Sequence, residues 1–280
     1  MRKSGLIVLI VLCLSSAGAL LLAQNKLIRA SGNTVSDRIT VPEGTKRVAV
    51  SETSFGAFLR NFPLRTDGSA VYLYNGSLKN NQQVHAAVLD IDVGNRDLQQ
   101  CADAVMRLRA EYLFKQGKFD EIYFNFTNGF KCAYVKWREG YRMVVNGNQT
   151  YWSKTAQPDY SYASFRKYMD LIFSYAGTLS LAREMISVPV SEMQIGDVFI
   201  QGGSPGHAVI VMDMAVDPQK KKQYFLLAQS YMPAQSIHIL KNLQQTGISP
   251  WYAADFGEVL STPEWTFTRY DLKRFKRSGL

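Results

Sequence analysis

Between Gly196 and Asp213 the chain reads Gly-Asp-Val-Phe-Ile-Gln-Gly-Gly-Ser-Pro-Gly-His-Ala-Val-Ile-Val-Met-Asp. This stretch constrains the fold more than any other. Val198, Phe199 and Ile200 are β-branched or aromatic, which predicts a strand. The glycines and proline from Gly202 to Gly206 cannot continue that strand and must turn. Ala208 to Met212 is a continuous apolar run, which predicts a second strand covered on both faces. His207 opens that strand. Its imidazole titrates near neutrality and suits general acid–base work, while a buried histidine satisfied by structure alone is the plainer alternative.

The following segment predicts a partner for it. Asp217-Pro218 and the lysine run Lys220–Lys222 form a solvated turn, and Tyr224 to Ala228 forms a third strand ending in Gln229. A symmetric hairpin centred on Pro218 sets Gln229 opposite His207, where cross-strand side chains lie about 5 Å apart. A side-chain amide there can hold an imidazole ring in one orientation.

A base needs a group to activate, and Cys101 is the candidate nucleophile. Asp97 is read as the N-cap of a helix running to about Leu113, with Gln100 as its capping-box partner. Cys101 then falls in the first turn, where the helix dipole and free amides favour a thiolate. The competing reading is core packing. Leu98, Cys101, Val105, Leu108 and Tyr112 trace one helical stripe, and a buried cysteine behaves as a small hydrophobe. A disulfide with Cys132 is a third reading.

The run from Gly196-Asp197 through Gly206-His207 and Val211 resembles the histidine motif of papain-like cell-wall amidases and endopeptidases. The order Cys101, His207, Gln229 fits that superfamily. The resemblance implies an α+β fold with a papain-like core, in which N-terminal helices pack on a mainly antiparallel sheet. The long gap between Cys101 and His207 requires a large insertion across much of residues 117–190. It also implies an exported thiol hydrolase acting on amide bonds in peptidoglycan peptides, with Cys101 as nucleophile, His207 as base and Gln229 orienting the imidazole. Backbone amides near the helix start, with Gln99 or Gln100, would receive the oxyanion. Transglutaminase-like folds share this order, and acyl transfer is the corresponding alternative. From another class, a cell-envelope module of the same fold would bind glycan or peptide without turnover. Along most of its length after the leader, the chain also resembles an uncharacterised bacterial family known only as a domain of unknown function.

The N-terminus sets the compartment. Met1-Arg2-Lys3 precedes an apolar run from Gly5 to Ala23. That pattern is read as a signal peptide or membrane anchor over residues 1–24, and places the body in the periplasm or cell envelope. Residues 25–45 are polar and turn-rich and read as a linker. Residues 46–280 suffice for a single domain with a substantial core. The net charge of +9 is scattered, with small clusters at Lys220–Lys222 and Lys273–Arg277. Such a surface suits anionic envelope polymers, and no nucleic-acid motif accompanies it.

Other features are weaker. Asp90 and Asp92 share one face of an expected strand over Val84–Val93, as either an acid–base pair or a solvated strand end. The aromatic stretch from Tyr123 to Trp152 is read as packing or as a groove lining. Short helices are expected over Ser54–Phe62 and over Tyr162–Ala176, and a terminal strand near Trp265–Phe267. No phosphate loop, dinucleotide fingerprint or zinc-ligand spacing is present, so no cofactor or metal is expected.

Overall fold

The computed structural model describes residues 27–147 and 149–276. The leader reading, residues 1–24, lies outside the described residues. No described helix is long and apolar enough to cross a membrane.

The chain builds a mixed α+β architecture around a nine-stranded sheet whose paired neighbours are antiparallel. Its strands in chain order are β1 (Lys46–Arg47), β2 (His85–Val88), β3 (Ile186–Ser187), β4 (Val198–Gln201), β5 (His207–Asp217), β6 (Lys222–Gln229), β7 (His238–Leu240), β8 (Tyr252–Ala253) and β9 (Leu272–Arg274). The spatial order is β2-β7-β6-β5-β4-β9-β3, with β1 against the far end of β5 and β8 against β6.

β5 is central because its sequence permits nothing else. Ten of its eleven residues are buried. Strand alternation sends Ala208, Ile210 and Met212 into the larger core cluster, and Val209 and Val211 into a second cluster on the opposite face. Phe199, Phe225, Leu227 and Phe267 fill that second cluster. On the first face lies the longest helix, Cys101–Lys115, packed against β5 and β6. It is buried along most of its length and acts as the axle of the larger core.

Several expectations needed correction. Residues 27–45 are not a loose linker. They carry a helical turn, Val35–Arg38, whose Val35 is fully buried like the adjacent Ile39. Arg38 is buried too, donating to the carbonyls of Gly32 and Arg65. The segment looks polar in sequence because its arginine reads as exposed, whereas the fold buries it against two backbone carbonyls and Asp67. Thr266–Thr268 pairs with Val259–Ser261 in a separate ribbon, and β9 is the last strand of the main sheet. The aromatic middle is largely packing, with Tyr134, Trp137, Phe165 and Tyr168 buried against one another. The helices expected near Ser54 and Tyr162 form as Phe55–Arg60 and Tyr162–Tyr175, each with a serine N-cap accepting from the first-turn backbone.

The Gly-Asp pair that precedes β4 is structural. Gly196 has φ +95°, and a Cβ there would meet the Phe55 ring at 2.7 Å. Asp197 accepts both arms of the Arg274 guanidinium, at 2.7 and 2.8 Å, and the amide of Gln194 at 2.7 Å. It therefore ties the final strand to the start of β4.

Candidate functional site

His207 and Gln229 meet, although not by the expected register. β5 and β6 pair Lys222 with Asp217 and Leu226 with Asp213, then slip at a bulge to set Leu227 opposite Val211 and Ala228 opposite Ile210. The bulge sets Gln229 diagonal to His207 on the same face instead of directly across. Long side chains span that diagonal. The His207 Nε2 to Gln229 Oε1 distance is 2.8 Å.

The surrounding hydrogen bonds fix the proton positions. The Gln229 amide nitrogen donates to Glu264 Oε2 at 2.7 Å, so its oxygen must face His207. His207 Nε2 therefore carries a proton and donates it, which leaves Nδ1 as the basic nitrogen. His238 Nδ1 lies 2.8 Å from the Ser236 carbonyl and donates to it. Its Nε2 thus offers a lone pair to the second proton of the Gln229 amide, at 3.4 Å. Glu264 is in turn held by Lys79 at 2.5 Å. The His207 ring is walled by Tyr231 at 4.9 Å, Trp265 at 5.2 Å and Phe267 at 5.9 Å between centroids. Burial, with a smaller push from the Lys79 charge, pulls its pKa down to about 4 against the Gln229 hydrogen bond.

Cys101 is the first residue of its helix. The N-cap is Gln100, three residues later than the expected Asp97, because Asp103 at the third helical position accepts the Gln100 amide at 3.0 Å. Asp97 instead accepts from the Ala234 amide at 2.7 Å and from the Gln100 side chain at 3.0 Å. The Cys101 sulfur meets the backbone amides of Ala102 and Ala208, the residue after His207. This brings the helix start to the mouth of β5. Among the described residues no hydrogen bond joins the sulfur to the His207 ring. Burial, then the Asp103 carboxyl, push the thiol up to about 11, which outweighs the amides that favour a thiolate. The expected thiolate at the helix start is thereby corrected. Cys101 is buried at the start of its helix and lines a cavity.

That cavity has a volume of about 290 Å³. Asp97, Cys101, Asp103, Phe173, Thr178 and Gly206 are among the residues that line it. Gly206 has no room for a side chain, because a Cβ would meet Thr178 Oγ1 and the Gly203 carbonyl at 2.6 Å each. A larger groove of about 680 Å³ elsewhere, bordered by Arg109 and Tyr112, contains none of the candidate residues.

Cys101 and Cys132 are both free thiols, so no disulfide joins them. Gln99 is fully buried. Its side-chain oxygen accepts from Arg107, and its amide nitrogen has no partner. Asp90 and Asp92 form no joint site, because Asp92 is engaged by Arg107 and Arg166 at 3.2 and 3.1 Å, and Asp90 faces Arg65. Among the described residues no cluster of metal-ligating side chains occurs. Sequence reasoning missed Glu264, Lys79, Tyr231 and Asp103. Asp103 alone carried a visible signal, as an acidic residue two positions after the candidate cysteine.

A cysteine at a helix start and an imidazole held by a side-chain amide thus both lie at the mouth of β5. By sequence the chain belongs to the family described as Domain of unknown function (4846), whose model matches residues 35–274. No curated protein and no solved structure matches it significantly.

Proposed function

We propose that this chain is an exported thiol hydrolase with a papain-like core that cleaves amide bonds, with peptidoglycan stem peptides as the substrate class. The observation that carries the reading is the 2.8 Å contact between His207 Nε2 and Gln229 Oε1 at the same strand mouth whose Ala208 amide touches the Cys101 sulfur. The amide fixes the tautomer that leaves Nδ1 free to accept a proton.

In the free protein both thiol and imidazole are neutral. Attack and proton transfer therefore go together. The Cys101 sulfur bonds to the carbonyl carbon as its proton passes to His207 Nδ1, and the carbonyl oxygen becomes an oxyanion beside the helix-start amides. Collapse breaks the carbon–nitrogen bond, and His207 returns the proton to the leaving amine. Water then attacks the thioester with His207 again as base, freeing the acid and restoring the thiol.

The test is release of peptide from purified cell wall. Cys101→Ala and His207→Ala are each expected to abolish release while leaving thermal unfolding intact, and activity persisting in Cys101→Ala would end the reading. The second reading, an envelope-binding module without turnover, is favoured by the high thiol and low imidazole pKa and by the missing sulfur–ring hydrogen bond. It wins if wild-type protein binds sacculi in a salt-sensitive way, releases nothing, and Cys101 reacts with iodoacetamide no faster than Cys132.

A further inference from the structure

Buried carboxylates elsewhere in this fold face cations, with Asp217 meeting Lys220 at 3.9 Å. Asp213 is fully buried between Arg47 and Arg60, each at 2.7 Å. Asp197 is held by Arg274. Asp103 departs from this rule. It is 6 % exposed, its Oδ2 takes the Gln100 amide, and its Oδ1 is buried with no partner. A buried carboxylate oxygen without a donor is costly, and proteins keep few of them.

Asp103 lines the cavity beside Cys101. So does Asp97, exposed at the rim and with one oxygen already engaged. Among the described residues no lysine, arginine or histidine lines this cavity, in a chain of net charge +9. The pocket thus carries two carboxyl groups and no basic side chain in a basic protein.

We propose that this cavity binds a primary ammonium, with Asp103 Oδ1 as its acceptor and Asp97 assisting from the rim, so that the substrate is a small peptide bearing a free amino group near the scissile carbonyl. An ammonium is compact and offers three donors, which suits an orphan carboxylate oxygen and a second acid at the mouth. The volume, about 290 Å³, is at the small end of ligand pockets and suits a short peptide end better than a long chain. Burial holds the Asp103 carboxyl well above the usual carboxylate range, so it stays protonated until a cation enters. The amine site itself stands on Asp103 and the cavity, whereas its role in substrate choice rests on the hydrolase reading.

The test uses the full chain with Cys101→Ala, which prevents turnover. Calorimetric titration compares L-alanyl-L-alaninamide with its N-acetylated form. The free amine is expected to bind ~10–100-fold more tightly, the range for one charge-assisted hydrogen bond. Adding Asp103→Asn should abolish the preference while the acetylated form binds as before. Equal affinities, no binding of either peptide, or a preference that survives Asp103→Asn would each overturn the proposal and leave Asp103 as a helix cap only. The comparison of the two peptides needs no Asp103 variant, so it decides the matter even if Asp103→Asn fails to fold. A clear amine preference without peptide release from cell wall would end the hydrolase reading and keep the amine site. Release without the preference would do the reverse.

Discussion

The middle of β5 and the start of the Cys101 helix both bury a carboxyl, and they treat it in opposite ways. Asp213 accepts from two guanidiniums and from the Met214 amide, and it links the edge strand β1 and the Phe55–Arg60 helix to the central strand. Asp103 accepts one backbone amide and keeps a second oxygen unused. The first arrangement is what a fold requires of a buried charge, since an ion taken out of water must be matched. The second serves no packing need. A few residues away, Gln99 also holds a buried nitrogen without a partner. Asp103 lines the cavity beside Cys101, and the amine site proposed there rests on its spare oxygen.

The sharpest way to break this comparison is Asp213→Ala. It strands two arginines that are mostly buried, and the expected cost is ~3–5 kcal/mol of folding stability in urea titration. A loss under ~1 kcal/mol would mean the pair is solvated and the contrast with Asp103 false.

The next effect is a pH dependence. An unfolded histidine gains its proton near 6.5, whereas His207 resists until about 4. Its contribution is full above pH 6.5 and is lost as pH falls from there towards about 4, since the unfolded chain binds the extra proton. The gap corresponds to about 3 kcal/mol at 1.36 kcal/mol per unit. Buried His238, with a pKa pulled down to about 3 by burial, adds a loss of the same sign. The wild type should therefore lose about 3 kcal/mol more than His207→Gln between about pH 7 and 4. Parallel curves would show that the ring is protonated or exposed at neutrality.

How far the sequence reaches is visible in the same residues. The apolar run after His207 revealed a central strand because only a strand covered on both faces tolerates it. The meeting of His207 with Gln229 was legible in outline, but the bulge at Leu226 and Leu227 was not, since a bulge leaves no mark in an unbroken apolar run. The helix start was misplaced by three residues because Asp97 and Gln100 look like a cap, and only the fold shows that Asp97 serves Ala234. Glu264 and Lys79 join the site from distant segments, which no local pattern links to His207. The thiolate expectation failed because the helix dipole is a sequence-level argument, whereas burial depends on what packs around the sulfur.

Gln229 and Glu264 test whether the ordered half of the site works through orientation. Gln229→Ala removes the acceptor that holds His207 Nε2, and the expected loss of peptide release is ~10–100-fold, the equivalent of one buried hydrogen-bond partner. Glu264→Gln still accepts from the Gln229 amide and should cost less than about 10-fold. An equal loss from both would shift the weight to the Lys79–Glu264 ion pair, and no loss from Gln229→Ala would remove orientation from the mechanism.

The smallest expected effect separates the two carboxyls most finely. Asn at position 103 can still accept the Gln100 amide, and it replaces a carboxyl that burial keeps protonated. Asp103→Asn should change stability by no more than about 1 kcal/mol, the scale of one helix cap. The sign depends on pH. Because the folded carboxyl holds its proton where the unfolded one has released it, the wild type loses stability as pH rises above about 4, and the asparagine variant does not. The variant should therefore be at least as stable as wild type at about pH 8 and show no advantage near pH 3.5. A loss comparable to that of Asp213→Ala would instead mean that the Asp103 carboxylate is charged, paired and needed by the fold, and the cavity beside Cys101 would then have no spare acceptor to offer a ligand.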